Sequence, residues 1–125
     1  MFTLLRFNVR FFQARRKEMK GDFLGAVTLL DRDDVPARWR SLNDAYRLRM
    51  LVLGSPTDFG PSIVKSAESF SWYQAPASPG DRFAREYCDC MRAGVTGDLP
   101  ARLESERKLK RMKVRAIYRN SLFVP

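Results

Sequence analysis

Residues 102–119 carry eight basic side chains, Arg102, Arg107, Lys108, Lys110, Arg111, Lys113, Arg115 and Arg119, against two acids, Glu104 and Glu106. Eight minus two leaves six of the nine net positive charges of this 125-residue chain in one short run. So positive a surface repels itself until a polyanion covers it, which points to nucleic acid or an anionic membrane face. The plainer alternative is a solvated helix face, and the density of the run favours nucleic acid over it. On a helix, Arg107, Lys108, Lys110, Arg111, Lys113 and Arg115 fall on several sides and leave little surface for a core. That pattern predicts a rod lying among phosphates and binding through backbone contacts rather than base edges.

Other residues that could do chemistry are sparse. The chain has no histidine, which removes the usual general base near neutral pH, the Ser-His and Cys-His pairs and the commonest metal ligand. No Gly-rich phosphate loop, paired-carboxylate arrangement or nucleophile elbow is present, and residues 94–97 (GVTG) read as a linker between helices. Cys88 and Cys90 lie two apart, so on a helix they point to nearly opposite faces and cannot bridge each other. Two thiols without histidine are half a metal site. The favoured reading is two small buried apolar residues, with a zinc or iron–sulfur site shared with another chain as the alternative. The expectation is a protein that is not an enzyme, has no cofactor and takes no small-molecule substrate.

The elements that position these residues read as helices. Residues 1–34 form a basic amphipathic extension in which Phe2, Leu5, Val9 and Phe12 recur at helical spacing and place one apolar face. Its first twenty residues hold six bases and one acid, Glu18, the character of a mitochondrial presequence; a structural helix that binds RNA or a neighbour is the alternative. Residues 35–101 form a small helical domain. Asp31, Asp33 and Asp34 ahead of Pro36 predict a capped start, and Val35, Trp39, Leu42, Tyr46, Met50 and Leu53 keep a period of three and four up to a C-cap at Gly54. A shorter helix is expected from Ser62, another capped by Asp81 and ended by Gly94. Residues 102–125 form the basic C-terminal helix and tail, opened by Asp98 and Pro100, with Leu99, Leu103, Met112 and Ile117 on its apolar side. Alternating strand patterns are absent, so the class is all-α with long connectors. No stretch approaches the ~20 apolar residues that span a bilayer.

From Arg47 onward the order of landmarks resembles the mitochondrial small-subunit ribosomal protein 33 family. The matching segments are RLRMLVLGSP at 47–56, SIVK at 62–65, Trp72-Tyr73 with Pro76, then Phe83, Tyr87, Met91, Arg92, Gly94 and Asp98, and ESERKLKR at 104–111. They cover roughly the C-terminal three fifths, and residues 1–34 have no counterpart. Gln74 and Ala75 separate the aromatic pair from its proline, and residues 94–100 replace an acidic, aromatic-containing turn. The resemblance implies a non-catalytic structural protein in the head of the mitochondrial small ribosomal subunit, located in the matrix. Its partners would be the small-subunit rRNA and other mitochondrial ribosomal proteins. Arg47, Arg49 and Lys65 then join the basic run as candidate rRNA contacts. Trp72 and Tyr73 are candidate anchors on a partner protein or for a stacked base, with gap-filling between helices as the bland alternative. The rival assignment is a supernumerary peripheral subunit of a mitochondrial respiratory or ATP synthase complex, whose basic ends would meet lipid headgroups.

Overall fold

The computed structural model describes residues 2–122, with side chains from Leu4 onward. Among the described residues the chain is all-α, with eight helices and no strand. They are α1 (Phe2–Met19), α2 (Phe23–Leu30), α3 (Arg40–Gly54), α4 (Gly60–Lys65), α5 (Ser71–Gln74), α6 (Pro79–Thr96), α7 (Leu99–Arg111) and α8 (Ala116–Ser121).

Two helical hairpins, α1–α2 and α6–α7, share one local device. Each is joined by Gly-Asp, with the glycine (Gly21 or Gly97) at φ 76°, a left-handed conformation that costs other residues a Cβ clash. The following aspartate's amide bonds back into the finished helix, Asp22 to the Lys17 carbonyl and Asp98 to the Ala93 carbonyl, both at 2.9 Å. Its carboxylate then caps the next helix, Asp22 accepting from the Gly25 amide at 3.0 Å and Asp98 from the Ala101 amide at 3.2 Å. Helix α3 packs on both α2 and α6 and ties the hairpins together.

Several expected boundaries move. The N-cap of α6 is Ser78, which accepts from the Asp81 amide at 3.1 Å while the Asp81 carboxylate accepts from the Ala77 amide at 3.1 Å. That helix runs through Gly94 to Thr96. Gly54 is the last residue of α3 rather than its cap, and a Cβ there would stand 3.0 Å from the Phe23 Cβ, so its missing side chain admits α2. The expected cap at Asp31, Asp33 and Asp34 is not made. Pro36 is extended and leads into a 3-10 turn, and arginines from other elements take two of the carboxylates. Asp31 pairs with Arg47 at 3.1 Å, and Asp34 with Arg10 at 2.8 Å.

The core is aromatic where α1, α3, α6 and α8 converge. Phe7 stacks on Trp39 at 6.4 Å, Phe11 tilts against Tyr46 at 5.0 Å, and Tyr118 meets both Trp39 and Phe83. The buried face of α1 is therefore Phe7, Phe11 and Ala14. The face expected from periodicity points outward instead: Leu5, Val9 and Phe12 are exposed, and the Phe2 side chain lies outside the described residues. Burying Phe7 and Phe11 stabilises the fold by about 2 kcal/mol each, so α1 is an integral helix. Polar clamps reinforce it. Glu18 pairs with Arg49 and accepts from the buried Tyr46 hydroxyl, while Arg15 donates to the Asn120 carbonyl at 3.3 Å.

Candidate nucleic-acid interface

The basic run divides into three parts with different roles. Helix α7 buries only Ser105 and Leu109, leaving Leu99 and Leu103 of the expected apolar side exposed. Its first basic residues are partly neutralised. Arg102 pairs with Glu106 one turn on at 3.1 Å, Arg107 with Glu104 at 3.4 Å, and Lys108 with Glu86 of α6 at 3.8 Å. The last two pairs are more than half exposed on the basic side, where such pairs are worth little. Lys110 and Arg111, in the last turn, are exposed and without an ion-pair partner among the described residues.

The expected continuous rod breaks at Met112. Residues 112–115 are not helical, and Met112 has φ −74° and ψ 136°. Met112 and Val114 lie against the core while Lys113 and Arg115 face outward, the period of two of extended chain. The physical reason is downstream. Tyr118, Ser121 and Leu122 must be buried, and a straight continuation of α7 would carry them away from the core. The Tyr118 hydroxyl donates to the Arg38 carbonyl at 3.1 Å and shares a bond with Ser41 at 3.1 Å, which fixes the hook. Arg119 is turned back to the Met112 carbonyl and stands over the Phe83 ring at 5.5 Å.

Of the other expected rRNA contacts, Lys65 is exposed and Arg47 and Arg49 are not free. Arg47 is committed to Asp31 with its side chain 24% exposed, and Arg49 to Glu18 with its side chain 16% exposed. Both ion pairs hold α3 to the α1–α2 hairpin. Trp72 lies in helix α5. It is buried, its indole N–H donates to Asp44 at 2.9 Å, and it stacks on Phe70 at 5.4 Å, so it fills the joint between α3 and α5. Burial pushes the Asp44 carboxyl up, opposed by the Trp72 hydrogen bond. Tyr73 is half-buried, its hydroxyl donating to Asp89 at 2.6 Å and its ring covered by the Arg85 guanidinium at 5.0 Å. Cys88 and Cys90 are both buried free thiols, and burial, followed by the nearby Asp89 charge, pushes Cys88 up to about 12.

Arg38 also belongs to the exposed basic surface. Its guanidinium stands 5.2 Å from the Trp39 ring centroid, and Arg115 stands 5.8 Å from the same ring. The adjacent Arg-Trp pair was the signal, but only folding brings residue 115 beside it. Among the described residues, no helix is long and apolar enough to cross a membrane. No protein-family model, curated protein or solved structure matches the chain.

Proposed function

We propose that this protein is a non-catalytic, RNA-binding structural component of the mitochondrial small ribosomal subunit, working in the matrix against rRNA and neighbouring ribosomal proteins. The observation that carries the RNA reading is the row Lys110, Arg111, Lys113 and Arg115, exposed and without carboxylate partners among the described residues, on a hook anchored by Tyr118 and Leu122. Rigid presentation lowers the ordering cost of docking, and each phosphate neutralised releases counterions. The ribosomal assignment is supported by the ordered landmarks after Arg47. Sucrose-gradient sedimentation of mitochondrial lysate at low salt with magnesium tests it. The protein is expected in the small-subunit peak and released by ribonuclease; its absence from that peak overturns the assignment.

A second reading is favoured by one surface. Leu5, Val9, Phe12 and Met19 are exposed on α1, interleaved with exposed Arg6, Arg16 and Lys20. An apolar stripe among cations suits the interface of an anionic membrane, as in a peripheral subunit of a respiratory or ATP synthase complex. That reading predicts co-migration with an inner-membrane complex and no release by ribonuclease.

A further inference from the structure

A cleft of about 500 Å³ opens where three distant parts of the chain meet. Arg38 and Trp39 precede α3, Ser78, Pro79 and Gly80 start α6, and Lys113, Val114, Arg115 and Tyr118 come from the hook. Three cations line it and no carboxylate does. None of the three has an ion-pair partner among the described residues. Like charges gathered in a concavity with low-dielectric walls repel one another and focus a positive field, and an entering anion relieves both effects. The start of the 18-residue α6 forms part of the same wall, with Asp81 of its first turn outside the lining. The frame is rigid, since Tyr118 is 2% exposed and bonded at both Arg38 and Ser41.

The volume lies in the range of small-molecule sites and exceeds what a bare phosphate fills. Pro79 and Val114 supply apolar wall beside the cations. We propose that this cleft seats one unpaired nucleotide of RNA, its phosphate among Arg38, Lys113 and Arg115 and its base against Pro79 and Val114. The proposal rests on the RNA-binding reading above and adds to it a place and a strand state. Lys110 and Arg111 hold the backbone outside the cleft in any conformation, whereas the cleft itself accepts only a nucleotide free of pairing.

Trp39 lies in the cleft wall under two of the cations, so its emission reports occupancy. The purified full chain is titrated with 5′-adenosine monophosphate, with adenosine, and with a labelled RNA as single strand and as duplex. Expected are a saturable emission change with the monophosphate and a response at least about tenfold weaker with adenosine, the scale of a lost hydrogen bond to a charged group. Arg38→Ala/Arg115→Ala should lose the monophosphate response and the preference for single strand, whereas Lys110→Ala/Arg111→Ala should keep both while weakening all RNA binding. Far-UV circular dichroism monitors folding. Arg38→Gln/Arg115→Gln, which keeps the side-chain stems over Trp39, replaces the alanine pair if helix content falls. RNA binding with no monophosphate response, or with a response equal for adenosine, overturns the cleft and leaves the RNA reading standing. No RNA binding in either strand state overturns both.

Discussion

Replacing Lys110, Arg111 and Lys113 together by alanine removes three of the four exposed cations in the 110–115 stretch that lack a carboxylate partner among the described residues. Only Arg115 then remains of the four. If Lys110 and Arg111 each neutralise one phosphate of single-stranded RNA and Lys113 and Arg115 share a third, the parent's log affinity falls with log salt at a slope of about −2.1, and the variant's at about −0.7. Between about 50 and 200 mM salt the parent therefore loses about twentyfold in affinity and the variant about threefold. Fluorescence anisotropy of a short labelled RNA across a potassium chloride series reads both slopes. The three side chains are exposed and make no hydrogen bond or ion pair among the described residues, so far-UV circular dichroism should superimpose. An unchanged slope with superimposable spectra would refute the reasoning and show the run to be a solvated face.

Three further outcomes test the architecture. Glu18→Ala strands the buried Tyr46 hydroxyl and the largely buried Arg49. The loss should be about 3 kcal/mol, or roughly 10 °C in Tm for a domain of this size, and a negligible shift in thermal melting would show α1 to be loosely held. Gly80→Ala puts a Cβ 2.5 Å from the end of the Tyr118 ring, which is bonded on two sides and cannot swing. The urea midpoint should fall by the equivalent of about 1–3 kcal/mol, and an unmoved midpoint would mean that Tyr118 is not seated there. Burial holds the Tyr46, Tyr73, Tyr87 and Tyr118 hydroxyls above the ordinary tyrosine value of 10.0, and the Cys88 thiol above 9.0. As pH rises the unfolded chain gives up these protons first, so stability present below pH 9 is lost from there upward, more steeply past 10, by at most about 1.4 kcal/mol per pH unit for each group. Urea midpoints that stay level through this alkaline range would contradict the burial of these groups.

Local chemistry was readable where the partners lie within a few positions. The start of α7 follows from Asp98 and Pro100 because an N-cap bond spans three residues, and the same reach explains Gly97 and the Gly21-Asp22 link. Periodicity was readable on α1 but ambiguous. Leu5, Val9 and Phe12 repeat as regularly as Phe7, Phe11 and Ala14, and a period cannot say which stripe another helix will cover. Arg47 and Arg49 look like any other surface arginines. Their carboxylates stand 16 and 31 positions away, so no local pattern reveals the pairing. Trp72 likewise finds Asp44 at a separation of 28.

The sequence by itself determined the all-α class and the excess of positive charge at the C-terminal end, since propensity and composition act over a turn or two. The tertiary structure decided which cations are free. Burying Tyr118 and Leu122 bends the basic run into a hook, and closure of α3 against the first hairpin pairs Arg47 and Arg49 with carboxylates. Docking of that hook on the start of α3 through Tyr118 brings Arg38 beside Arg115, 77 positions later in the chain, because long-range packing rather than local sequence sets that distance.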